Sequence, residues 1–202
     1  MQRRSIWLGG LILAVSSLQG CFDKEEPTCA YWVPKILQPA FTEKAIDKTT
    51  ELQCSDALPA MQQLFEDGQL RSKLLRSAKE IGDSKAAAGL LRKALLVGDT
   101  GKLAASIVKD WRLVEARPEL ESILTGRNLP KHREAALDAL LSFTKPPVIE
   151  DLLIALASEE PDLHGIGVNK RAVEALGEMR SAKAVPTLIR AAFIKDQRGG
   201  SI

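Results

Sequence analysis

Arg171-Ala-Val-Glu-Ala-Leu-Gly177, six further residues, and Ala184-Val-Pro-Thr-Leu-Ile189 decide the fold of this chain. Ala172, Ala175, Leu176 and Met179 recur at helical spacing on one face. Val185, Leu188, Ile189, Ala192 and Phe193 do so again after the break. Two stripes of period 3.6 across so short a break predict two neighbouring helices. Neither helix can bury its stripe without the other. Pro186 falls in the first turn of the second helix, where its missing N–H costs no hydrogen bond.

The same pattern stands earlier in the chain. Residues 76–94 match residues 174–192 without a gap, at an offset of 98. Glu80/Glu178, Lys85/Lys183, Ala86/Ala184, Leu90/Leu188, Arg92/Arg190 and Ala94/Ala192 coincide, and Ile81/Met179 and Leu91/Ile189 are conservative. An offset of that size is about three units of a helical-hairpin repeat of 30–40 residues. Stripes between the copies supply the units. Leu58, Met61, Leu64 and Phe65 predict a helix near 56–67, and Leu70, Leu74, Ala78 and Ile81 one near 69–82. Ala87 to Leu95 predict another near 84–97, followed by Ala104, Ile107, Val108 and Trp111. Leu120, Ile123 and Leu124 mark a short helix begun at Pro118, and Ala136 to Leu141 one near 131–143. Ile149 to Leu156 follow Pro146-Pro147. Gly68, Gly82-Asp83, Gly98-Asp99, Gly126 and Glu160-Pro161-Asp162 punctuate the stripes. No stretch alternates with period two, so no sheet is expected.

The chain therefore resembles HEAT-repeat proteins, above all the bacterial type with short hairpins. The resemblance is good over 131–196, moderate over 55–97, and weak over 31–54 and 98–127. It implies an all-α fold, an α-solenoid of stacked antiparallel helical hairpins over 31–202. About five hairpins are expected, the last incomplete, since the stripe at Val185–Phe193 has no successor. Either the chain is a piece of a longer protein or a partner covers Phe193 and Ile194. Leu→Ala at Leu176 or Leu188 is expected to cost about 2–5 kcal/mol.

The first residues are of another kind. Arg3 and Arg4 precede an apolar run from Ile6 to Val15, then Leu18-Gln19-Gly20-Cys21. A basic start, a short apolar core and a small-residue cleavage region make a secretory signal, too short for a comfortable membrane span. Leu18 to Cys21 resembles the lipobox of bacterial lipoproteins. That resemblance implies a signal peptide over 1–20 and lipidation of Cys21 by diacylglyceryl and acyl chains such as palmitate. It also implies a lipid-anchored life in the bacterial cell envelope. Phe22, rather than Asp, after the lipidated Cys favours the periplasmic face of the outer membrane. Residues 21–30 then read as the lipidated Cys and a polar tether. With Cys21 lipidated, Cys29 and Cys54 remain, and an oxidising compartment predicts a disulfide between them. Its loop of about 25 residues contributes roughly 3 kcal/mol.

Charge and chemistry narrow the function. The chain holds 28 basic and 26 acidic residues. Arg3 and Arg4 lie in the leader, so the remainder is formally neutral, which disfavours nucleic acid as a partner. Hydrophobic residues make up 45% and aromatics 4%, a composition suited to close-packed helices. His132 and His164 read as solvated helix-start histidines with no metal triad around them. Gly98-Asp-Thr-Gly-Lys102 fails as a phosphate loop, with Leu96 and Leu103 where Gly and Ser/Thr belong. No catalytic residue, cofactor, metal or small-molecule substrate is expected. The HEAT-like resemblance implies instead an extended surface lined by the second helices of the hairpins. Arg76, Lys79, Glu134, Asp138, Lys170 and Glu174 are its candidate partner-binding residues. The function expected is a non-catalytic, membrane-anchored protein–protein interaction scaffold. The alternatives are an enzyme-associated HEAT-like protein, bilin lyase-like or DNA-binding, and a structural brace of an envelope complex.

Overall fold

The stripes become helices, and the helices alternate between two layers. The computed structural model describes residues 28–68, 70–126, 128–159 and 166–193. Residues 1–20, read as a signal peptide, Cys21, His164 and the break at 160–162 lie outside these residues. In chain order the helices are α1 (Cys29–Trp32), α2 (Thr42–Glu51), α3 (Leu58–Glu66), α4 (Arg71–Ile81), α5 (Ser84–Leu95) and α6 (Gly101–Trp111). They continue with α7 (Arg117–Thr125), α8 (Pro130–Phe143), α9 (Glu150–Ser158), α10 (Ile166–Glu178) and α11 (Val185–Phe193). No strand occurs among the described residues. Helices α2, α4, α6, α8 and α10 pack side by side in one layer. In the other layer α3 packs on α5, α5 on α7, and α9 on α11. Each of α3, α5, α7 and α9 also packs on the helix that follows it. The fold is an all-α solenoid of stacked antiparallel hairpins, with α1–α2 closing one end.

The seam between the layers is built from Leu, Ile and Ala. Leu58, Met61, Leu74, Leu90, Leu91, Ile107, Leu120, Leu137, Leu153 and Leu176 are all buried. Ala45, Ala78, Ala94, Ala104, Ala136 and Ala172 share that seam, and their small side chains let the helices approach. Each buried Leu contributes about 2 kcal/mol. Two caps fix helix starts. Asp83 accepts the Ala86 N–H at 2.9 Å before α5, and Thr28 accepts the Tyr31 N–H at 3.3 Å before α1.

One turn recurs at the ends of even-numbered helices. Gln53, Gly82, Arg112 and Arg180 all adopt left-handed backbone, with φ of 53°, 81°, 51° and 53°. After Gln53, Arg112 and Arg180 the next N–H reaches back to the last full turn. Cys54 donates to the Thr49 carbonyl at 2.9 Å, Leu113 to Val108 at 3.1 Å, and Ser181 to Leu176 at 3.2 Å. These six-residue closures satisfy carbonyls that the helix leaves open. The chain then enters the next helix through a shared sequence: Ala57-Leu-Pro59, Ala116-Arg-Pro118 and Ala184-Val-Pro186. The three alanines are fully buried, where a larger side chain would force the layers apart.

The expected disulfide is present. Cys29 in α1 is bonded to Cys54, just past the cap of α2, with the Cα atoms 5.6 Å apart. Helix α1 begins at Cys29, so helical structure starts two residues before the expected tether boundary. Trp32 is buried beside it and packs edge-on against Tyr31.

Candidate interaction face

The even-numbered helices α2, α4, α6, α8 and α10 present adjacent exposed flanks, and charged side chains link each flank to the next. Asp47 on α2 pairs with Lys73 on α4 at 2.8 Å. Lys79 on α4 pairs with Asp110 on α6 at 2.7 Å. Lys109 on α6 reaches Asp138 on α8 at 3.8 Å, and Asp138 meets Arg171 on α10 at 3.4 Å. Arg171 also donates to the Glu174 carboxylate at 3.2 Å, which raises its guanidinium pKa, with Asp138 adding to the effect. The result is a ladder of opposite charges that runs across the layer. Exposed rungs of this kind contribute at most about 1 kcal/mol each.

Two shallow depressions open on this face. One, of about 490 Å³, lies between α2 and α4 and is lined by Asp47, Glu51, Lys73, Arg76 and Glu80. The other, of about 390 Å³, lies over α6, α8 and α10 and is lined by Lys109, Glu134, Asp138, Lys170, Arg171 and Glu174. Gly167 shapes the second one, because a Cβ there would come within 2.9 Å of the Glu134 carboxylate carbon.

The six residues expected on the second helices thus sit on α4, α8 and α10 of one layer, five of them lining the depressions. The structure divides them further. Lys79, Asp138 and Glu174 are engaged by rungs of the chain's own ladder. Arg76, Glu134 and Lys170 make no side-chain hydrogen bond or ion pair among the described residues. Sequence reasoning missed Asp47, Lys73, Lys109, Asp110 and Arg171. The signal was present: Lys109-Asp110 stand opposite the apolar stripe of Ala104, Ile107 and Val108, on the flank a neighbour must meet.

His132 is a correction. Instead of a solvated helix-start residue it is buried, with 5% of its surface exposed. Its ring lies against Gly101 at the start of α6, where a side chain of any size would overlap it. Among the described residues its Nε2 has no hydrogen-bond partner. Burial pushes the imidazole pKa below 6.5, against a smaller opposite effect of a hydrogen bond with the Leu95 backbone. A lone buried imidazole packed on glycine is a structural element of the α6–α8 contact. No group of three or more His, Cys, Asp or Glu among the described residues is placed to hold a metal ion.

These features define a class: an all-α solenoid with one charged layer face. A family profile then matches one piece of it, the PBS lyase HEAT-like repeat, over residues 168–193. That stretch is α10, the recurrent turn and α11, the pair on which the sequence reading rested, so a HEAT-like repeat is present in this chain. No curated protein and no solved structure matches it.

Proposed function

We propose that this chain is a non-catalytic protein–protein interaction scaffold, anchored by lipid on Cys21 to a membrane of the bacterial envelope. The observation that carries the interaction reading is the surplus of charge on the face of the even-numbered helices. Arg76, Glu134 and Lys170 stand in open depressions without a partner among the described residues, beside charges the ladder has already neutralised. Such a face suits a protein segment of mixed charge better than a polyanion. Extended solenoid faces of this kind bind peptides and partner helices. The anchor rests on the leader and lipobox resemblance alone. Among the described residues no helix is long and apolar enough to cross a membrane.

The family description carries the word lyase, which bears on the enzyme-associated alternative. The matched stretch contains neither Cys nor His, the residue types most suited to covalent attachment or proton transfer.

The test is cross-linked affinity capture of the full-length protein from membranes, with intact-mass analysis. Three baits are compared: the wild type, Cys21→Ala, and the triple variant Arg76→Glu, Glu134→Lys, Lys170→Glu. A lipid-sized mass gain that Cys21→Ala abolishes, and a stoichiometric protein lost from the triple variant, are expected. Unmodified protein that co-purifies with pigment or nucleic acid overturns the proposal.

A further inference from the structure

Asp138 on α8 receives a cation from each side, Lys109 of α6 at 3.8 Å and Arg171 of α10 at 3.4 Å. One helical turn earlier the same three helices carry Ala105, Glu134 and Gly167. In the register those rungs set, Glu134 has a methyl group on one flank and a bare Cα on the other. A Cβ on Gly167 would stand 2.9 Å from the Glu134 carboxylate carbon, so the carboxylate lies directly against that glycine. Glu134 is exposed and makes no side-chain hydrogen bond or ion pair among the described residues. The ladder therefore has one rung whose acid is in place and whose cation is not.

The surroundings say what fits there. The depression around Glu134 measures about 390 Å³, and, Gly167 apart, every side chain lining it is charged. An amphipathic helix finds no apolar surface here against which to bury a stripe. An extended polar segment does fit, because its side chains enter singly and alternate in direction. Lys170 stands in the same depression, also without a partner among the described residues. Helix α8 is packed between α6 and α10, so the incomplete rung is interior to the stack and not at its end. Residues 160–165, which lead into α10, contain neither Lys nor Arg.

We propose that a basic side chain of a partner protein completes this rung. It is carried on an extended segment whose acidic residue, two positions away, meets Lys170. Residues two apart on an extended chain project to one side, about 7 Å from each other. Adjacent packed helices stand about 8–10 Å apart, and the long side chains of Glu134 and Lys170 span the remainder. A residue one or three positions away projects to the opposite side. The inference rests on the interaction reading and deepens it by naming the partner's chemistry at one site.

The probe is a Gly-Ser peptide holding one Arg and one Asp, titrated against the full chain at low ionic strength. Binding is followed by the NMR shifts of the amides around Glu134 and Lys170. Saturable shifts are expected with Arg and Asp two positions apart, and about tenfold weaker binding with one or three. Glu134→Gln is expected to weaken binding about tenfold. Gly167→Arg places a guanidinium against Glu134 from within the chain, as Arg171 stands against Asp138, and is expected to abolish binding. Gly167 is helical, and a Cβ there meets only the flexible end of Glu134, so circular dichroism is expected to show the variant folded. A peptide with a second Arg in place of Asp is expected to recover binding to Lys170→Glu. Absence of saturable binding, indifference to spacing, or binding unchanged in Gly167→Arg overturns the proposal. So does a carbodiimide cross-link from Glu134 to Lys24 or Lys195 of the same chain, which names a segment of this chain as the occupant. Partner capture lost in the Arg76, Glu134 and Lys170 variant but retained in Gly167→Arg leaves the scaffold standing and sinks this site.

Discussion

Helices α4–α5 and α10–α11 carry one sequence pattern in two environments. In both, the pattern sets the same helices, the same left-handed turn at Gly82 or Arg180, and the same apolar spacing. What differs is what lies over the stripe. Leu91 is fully buried and its equivalent Ile189 is 58% exposed. A repeat therefore encodes its own shape, while burial is conferred by its neighbour. In a stack where each unit touches only adjacent units, energy resides in the interfaces as much as in the units.

The largest expected effect sharpens that contrast. Leu91→Ala removes a fully buried side chain from between α5 and its neighbours, and is expected to cost about 2–5 kcal/mol. Ile189→Ala is expected to cost less than about 1 kcal/mol, since most of that surface is already in water. Urea unfolding of both variants decides it, and equal costs would break the comparison. Leu188, expected from sequence to match Leu176, is half-buried and falls between. Next come two glycines. Gly101→Ala drives a methyl group into the His132 ring, an overpacking of about 1–3 kcal/mol. Gly177, in α10, has open space where a Cβ would go, so Gly177→Ala is expected to stabilise by about 0.5–1 kcal/mol.

How much of this was legible follows from the same physics. The stripes from Leu58 to Phe193 gave every helix from α3 onward, because period and punctuation are local. Helix α2 was not read, since Ala45, Ile46 and Thr49 make a narrow stripe and the burial of Thr49 depends on its hydroxyl bonding the Ala45 carbonyl. Arg112 and Arg180 were passed over as helix ends because punctuation was sought at glycine, whereas the Ala-x-Pro that follows marks the turn. His132 was misread because its burial comes from α6, some thirty residues upstream. The ladder was hidden likewise: which of Lys79 and Arg76 finds a partner depends on the register of the next helix.

His132 provides the third prediction. Its folded pKa lies below 6.5, so the folded chain stays neutral there while the unfolded chain takes up a proton as pH falls through 6.5. Its contribution is complete above 6.5 and declines below it, until the folded pKa is reached. Unfolding of the wild type across that range, against His132→Gln, is expected to show a steeper acid loss in the wild type. The smallest effect concerns the recurrent turn. Arg112→Gly and Arg180→Gly relieve left-handed strain and are expected to gain about 0.5–1 kcal/mol each in thermal melts, while Gly82→Arg loses as much.

The Cys29–Cys54 bond has a directional consequence. It locks α1 to the end of α2, so this extremity of the stack is covalently closed, whereas among the described residues α11 packs on α9 and α10 alone. Amide exchange should then form a gradient, slowest near Ile46 and Leu58 and fastest in α11, with opening that travels from the last helix inward. Reduction of the bond is then expected to speed exchange at Ile46 and Leu58 and to flatten the gradient.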